Sequence, residues 1–372
     1  MSKQHNEIDT LWYTRCAGNG RGGVPTATGI AHQLGWIQEE FKSDGFRLRT
    51  LQDDDAVDVA YNHYDHDLTT LIREGGNLYS IPAKAQGAKT KLIGLTWIDE
   101  AQSILVRPDS EIRTPQQLKG KRLALPAFRD EDIRENKRGR SLARVQSLHG
   151  YHGALKSVGL TFDDVKLVEV GNENDARSGD IRRTEGVFWP GFSPLLEGKV
   201  DALYVKGANA QDIARRLGVK VGIDLDKLPE KRFRVNNGTP RPITVSDYLL
   251  ENHFDVVVRF LAVTLRAAEW GKTHQQEVYD LLGKEIGASP EGLRAAYRED
   301  FHLSLAPDLR RSASSSSDRR RIGCSSTASS TATSTMTRGS TAARSRPRSA
   351  CSRRARQLER TGPEQELQGA LD

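Results

Sequence analysis

At 372 residues, with 37% hydrophobic and 28% charged side chains, the chain is long enough for two lobes around a sizeable core, and no stretch approaches the apolar length of a membrane span. Its formal charge of +6 misleads: 13 of the 55 basic and 5 of the 49 acidic residues lie beyond Asp308, which leaves residues 1–308 at −2. A body so close to neutral gives no argument for nucleic-acid or membrane binding. Of the three cysteines, Cys324 and Cys351 lie in the last 64 residues, so a disulfide framework has no support and Cys16 is the only thiol of the body. The polar start of the chain carries no apolar signal region, which sets the expectation of a cytoplasmic protein.

In chain order, residues 10–14 read as a short strand that runs into Arg15, Cys16 and a glycine-rich loop at 17–23. Residues 24–41 follow with helical spacing, with Ile30, Leu34, Ile37 and Phe41 three or four apart. Residues 46–51 alternate like a half-buried strand, and Asp53-Asp54-Asp55 reads as an acidic turn. Strands are expected at 91–96 and 103–106. At 114–126 a short helix meets a glycine stop and a buried strand that ends at Pro126. A helix at 141–158, strands at 165–170 and 200–204, a helix at 208–217 and a strand at 219–223 follow. Residues 245–270 read as two helices or one with a break, with further helices at 275–282 and 290–297. Strands alternating with helices imply an α/β architecture with parallel sheet.

From Leu309 the composition changes abruptly. Phe, Trp, Tyr and Lys vanish, while Ser, Thr, Ala and Arg abound. Such a segment lacks the apolar content to offset chain entropy and is expected to be disordered. The sudden loss of lysine and aromatics is the pattern of out-of-frame translation of GC-rich DNA, and a polyanion-binding basic tail is the alternative.

Residues 114–126, with Leu118-Lys119-Gly120-Lys121-Arg122 running into Leu123-Ala124-Leu125-Pro126, and later Gly198-Lys199-Val200-Asp201-Ala202-Leu203, resemble the phrases that open and close the second lobe in the periplasmic-binding-protein-like (type II) fold of the nitrate, sulfonate and thiamine-precursor type. The resemblance covers about residues 8–305 and implies two lobes, a ligand cleft and two chain crossings between them. The expected division is 1–106 for the first part of lobe I, 107–224 for lobe II, and 225–308 for the return to lobe I with C-terminal helices. An anion would sit between helix N-termini and backbone N–H groups of both lobes.

Within that fold, Tyr13-Thr14-Arg15-Cys16, His63 ahead of Tyr64-Asp65, and Arg73-Glu74-Gly75-Gly76 resemble the motifs of aromatic sulfinate desulfinases of dibenzothiophene desulfurisation. The resemblance implies Cys16, His63 and Arg73 as catalytic residues. It implies Thr14, Tyr64, Gly75, Gly76 and Tyr151 as substrate-binding ones. The chemistry is coherent: a guanidinium offers a sulfinate paired hydrogen bonds, adjacent glycines let backbone N–H groups approach developing charge, and a histidine tunes a thiol. The implied reaction cleaves a C–S bond and releases sulfite, with no cofactor and no metal. A family Val-Pro pair is present as Val24-Pro25, but residues 17–23 stand between it and Cys16.

Other readings share the residues. His63, Asp65, His66 and Asp67 form a cluster of metal-ligating types without a second cluster at suitable spacing. Gly75-Gly76 alone is a turn, and residues 17–23 lack the Lys-Ser/Thr of a phosphate-binding loop. As a binding protein for a sulfonate- or nitrate-type ABC importer, the chain would share the Arg73 clamp, bind a small anionic organosulfur ligand, need export to the periplasm, and have a permease as partner.

Overall fold

The computed structural model describes residues 8–15, 26–53, 55–56, 59–127, 142–171, 189–236 and 238–309. The expectations for Cys16, the loop at 17–23 and the segment from 310 onward lie outside the described residues.

The N-terminal half of the first lobe runs β1 (Thr10–Tyr13), α1 (Ala27–Gln33), α2 (Trp36–Glu40), β2 (Arg47–Thr50), α3 (Asn62–Asp65), β3 (Leu71–Glu74), α4 (Asn77–Ala85) and β4 (Thr90–Thr96). The helix expected at 24–41 divides because Gly35 adopts φ 73°, a left-handed conformation that ends α1 and starts α2. Thr26 caps α1, its hydroxyl accepting from the Gly29 N–H at 2.9 Å.

The second lobe contains β5 (Gln102–Val106), β6 (Arg122–Pro126), α5 (Leu142–Lys156), β7 (Lys166–Val170), α6 (Phe192–Leu196), β8 (Ala202–Lys206), α7 (Ala208–Arg216) and β9 (Lys220–Asp224). The chain then returns through β10 (Arg241–Ser246) to α8 (Asp247–Asn252), α9 (Phe254–Gly271), α10 (Gln275–Ile286) and α11 (Pro290–Ala296). Every residue of β5 and β8 is buried, as strands inside a sheet covered on both faces should be.

The first sheet has the order β2-β1-β3-β10-β4 and the second β7-β6-β8-β5-β9. Strand β5 therefore belongs to the second sheet, so the sheets part at residues 97–101 rather than after Val106, the boundary expected from sequence. The sheets are also mixed. β1 is parallel to β2 and β3, and β6 to β7 and β8, but β10 runs antiparallel to β3 and β4, and β5 to β8 and β9. The physical reason is the crossing. β5 and β10 are the first strands made after the chain changes lobe, and each enters its sheet from the cleft edge against the direction of its neighbours.

This topology locates the cleft. In the first sheet β1, β2, β3 and β4 end where β10 begins; in the second, β6, β7, β8 and β9 end where β5 begins. Both crossings, residues 97–101 and 225–240, join these two edges. Carboxyl ends of strands at such an edge are where open α/β sheets bind ligands.

Candidate active site at the cleft edge

Three segments meet on the first-sheet edge. The Thr14 hydroxyl donates to the Glu74 carbonyl at 2.6 Å and accepts from the Glu74 N–H at 2.8 Å. Thr14 is thus fully engaged with backbone. It ties the chain two residues before Cys16 to the turn after β3, which is a fixing role in place of the ligand contact expected of it. Arg15 is fixed as well: its N–H donates to the Gln52 side chain, its guanidinium pairs with Glu285 at 3.2 Å, and its carbonyl accepts from the Thr26 hydroxyl at 2.9 Å.

Strand β3 presents Arg73, almost fully buried at 1% exposure, to α3. Its Nε donates to the His63 carbonyl at 2.8 Å, and its Nη2 donates to the Gly76 carbonyl at 3.2 Å and lies 3.4 Å from His63 Nε2. A guanidinium has no lone pair to offer, so His63 Nε2 is the acceptor and the ring proton sits on Nδ1. Burial first, then the charges of Arg73, His66 and Arg241, hold the His63 pKa well below its ordinary value, so the ring is neutral. His63 Nδ1 is buried and has no hydrogen-bond partner among the described residues. The site therefore holds a neutral imidazole with an N–H to give.

Gly75 explains how the arginine fits. A Cβ there would lie 2.5 Å from Arg73 Nη2 and 2.6 Å from Cζ, so only a glycine lets the guanidinium pack flat against the turn. The Gly75 N–H donates to the Pro242 carbonyl at 3.1 Å, which leaves it committed to β10. Gly76 precedes the first turn of α4, whose N-terminal N–H groups and dipole favour negative charge.

Tyr64 stands edge-on to His63 with ring centroids 5.2 Å apart. Tyr79, which sequence reasoning missed, completes the wall. It lies 5.2 Å from His63 and 4.6 Å from Tyr64, and the Arg73 guanidinium sits 5.6 Å from its ring. Asn77 was missed too. Its side-chain N–H groups donate to the carbonyls of Asn236 and Pro240, pinning the start of α4 to the second crossing. Its helical step from Gly76 and the return of the chain near 240 were the only signals available.

Tyr151 belongs elsewhere. It is fully buried in the core of the second lobe, where its hydroxyl donates to the Ala124 carbonyl at 2.8 Å and accepts from the Tyr204 N–H at 2.9 Å. It braces β6 against β8, which corrects its expected role as a substrate-binding residue. Among the described residues no group of three or more His, Cys, Asp or Glu side chains is arranged to hold a metal ion. His66 instead turns its Nδ1 to the Tyr64 carbonyl at 2.9 Å.

A family model described as NMT1/THI5 like matches residues 30–278, more than half of the chain. The chain belongs to the NMT1/THI5-like family. This family member is 25% identical over 329 residues to the 2'-hydroxybiphenyl-2-sulfinate desulfinase of Rhodococcus erythropolis, an alignment spanning 81% of this chain and 83% of the relative. Among solved structures, a mutant of the desulfurization enzyme DSZB in complex with biphenyl-2-sulfinic acid matches with a TM-score of 0.63 at 22% identity, covering 84% of this chain and 90% of that one. The periplasmic aliphatic sulphonate binding protein SsuA from Escherichia coli matches with a TM-score of 0.58 at 16% identity, covering 87% and 93%. These likenesses establish the periplasmic-binding-protein-like fold that the sequence phrases implied. No helix among the described residues is long and apolar enough to cross a membrane.

Proposed function

We propose that the chain is a desulfinase-like hydrolase that cleaves the C–S bond of an aryl sulfinate, or a related organosulfur anion, and releases sulfite. The observation that carries this reading is the buried His63–Arg73 pair, set against the Gly75-Gly76 turn at the strand edge from which Arg15 leads directly to Cys16. Arg73 supplies the positive charge and a guanidinium N–H that hold the sulfinate oxygens. Tyr64 and Tyr79 offer the arene an aromatic wall.

In one route the Cys16 thiol gives its proton to the ring carbon as the carbon–sulfur bond breaks, leaving the arene and sulfur dioxide. The thiolate is stabilised by the Nδ1–H of His63. Water adds to sulfur dioxide to form hydrogen sulfite, and the proton released restores the thiol. In the alternative route the thiolate attacks sulfur as the carbon–sulfur bond breaks, the departing ring carbon takes the thiol's proton, and water cleaves the thiol–SO2 adduct to hydrogen sulfite and the free thiol. Either way one water is consumed, and arene and sulfite form in equal amounts. This reading places the chain in the cytoplasm.

A second reading is a binding protein for a sulfonate- or nitrate-type ABC importer, with export and a permease partner. The two-lobed fold shared with sulphonate-binding proteins favours it. Incubating the protein with biphenyl-2-sulfinate and assaying sulfite separates the two. Equimolar arene and sulfite support the hydrolase, whereas binding without either product supports the importer component.

A further inference from the structure

Arg241 opens β10 and is almost fully buried, at 2% exposure. The pairing of Ile243 with Glu74 and Thr244 with Arg73, and the bond from the Gly75 N–H to the Pro242 carbonyl, carry the register to Arg241 opposite Gly76. Strand alternation puts Arg241 on the face of Glu74 and Arg73 on the other. Two guanidiniums thus flank the Gly75-Gly76 turn, one from each face of the sheet.

Arg241 is held on both sides. Its strand partner Thr96 donates to the Glu74 carboxylate at 3.2 Å, and Thr28 donates to the same carboxylate at 2.8 Å. Burial pushes the Glu74 carboxyl up, and the charge of Arg241 is the largest influence opposing it. Toward the second lobe, a Cβ on Gly238 would lie 3.0 Å from Arg241 Nη2 and 3.5 Å from Lys206 Nζ. A guanidinium of the first sheet and an ammonium at the end of β8 therefore converge on one glycine of the second crossing. Lys206 is ion-paired with Glu100, which accepts from the Tyr297 hydroxyl at 2.6 Å.

We propose that Arg241 is a second anion-binding residue of this site, sharing the ligand's oxyanion with Arg73 and joining it to Lys206 of the second lobe. This rests on the anion cleft common to both readings above, and not on turnover. Glu100 and Glu74 stand beside Lys206 and Arg241, and an oxyanion at this strand-end edge would add charge-assisted hydrogen bonds to those the two cations already make.

The test titrates biphenyl-2-sulfinate, and separately ethanesulfonate, into the full chain carrying Cys16→Ser by calorimetry. Adding Arg241→Gln should weaken binding by at least about tenfold, and Arg241→Lys, which keeps the charge, by only about threefold. Gly238→Ala, which crowds Arg241 by a few tenths of an ångström, should weaken it by about threefold with the melting temperature unchanged. A merely structural role would lower the melting temperature and leave the dissociation constant alone. Folded Arg241→Gln protein that binds within twofold of its parent overturns the proposal. If Arg241→Gln does not fold, unchanged affinity in both Arg241→Lys and Gly238→Ala overturns it instead. Sulfite release by the chain with Cys16 intact is scored separately: its absence refutes the hydrolase reading alone. Failure of both anions to bind Cys16→Ser protein removes the cleft and Arg241's role together.

Discussion

Gly75→Ala is the sharpest probe of how the site is built. The added methyl would lie 2.5 to 2.8 Å from three atoms of the Arg73 guanidinium, well inside contact distance. The obstructing atoms are the far end of a flexible side chain, so the fold survives by swinging the guanidinium aside. That motion sacrifices the 2.8 Å bond to the His63 carbonyl and the 3.2 Å bond to the Gly76 carbonyl. Losing these two buried charge-assisted bonds costs about 3–6 kcal/mol of stability, or roughly 5–10 °C in melting temperature. The larger effect falls on the ligand. An arginine displaced from the turn forfeits its charge-assisted bond to the anion, roughly 2–3 kcal/mol, or about 30- to 150-fold in dissociation constant. Calorimetric titration of biphenyl-2-sulfinate into the Cys16→Ser background measures this, with thermal melting as the control for folding. A Gly75→Ala protein that binds within twofold of its parent would refute the packing of Arg73 as the clamp.

Tyr151→Phe separates core from site. It leaves the Ala124 carbonyl and the Tyr204 N–H without their buried partner, so stability should fall by about 2–3 kcal/mol while anion affinity stays unchanged; a changed affinity with unchanged melting would contradict a purely bracing role for Tyr151. The pH dependence of His63 has a definite sign. Its folded pKa lies below the unfolded value of about 6.5, so the unfolded state takes up the proton first and stability is lost as pH falls from about 6.5 toward the depressed folded value. Melting curves of His63→Gln should therefore decline less than those of the native chain between pH 7 and pH 5, and parallel declines would show that His63 is not held neutral.

The parts of the fold that could be read from the chain are those where one signal dominates. Residues 123–126 and 202–205 are apolar runs, and the strands that contain them lie inside the second sheet. Strand β3 was passed over because half of its four residues are charged, and yet Arg73 and Glu74 are both buried. Local hydropathy reads such a segment as surface, and only the tertiary partners of the two charges overturn it. Strand β10 was read into the following helices because Val245 continues their apolar pattern. Its role depends on pairing with residues about 170 positions earlier. Gly35 illustrates the converse: its spacing sat inside a convincing helix, and its left-handed φ divided it. In the site, the motif spacing brought His63 and Arg73 together. Asn77, Tyr79 and Arg241 needed the return of the second crossing to become visible. Tyr151 lies in the second-lobe core, and the sequence around a helical aromatic carries no information about which sheet it braces.

The most direct measurement is sulfite release from biphenyl-2-sulfinate by the native chain and by Cys16→Ser, with ligand binding followed in parallel. The native chain should release sulfite and arene one for one, while Cys16→Ser should bind the sulfinate and release neither. Undiminished sulfite release by Cys16→Ser would contradict a catalytic thiol, and no release by the native chain would contradict the hydrolase itself.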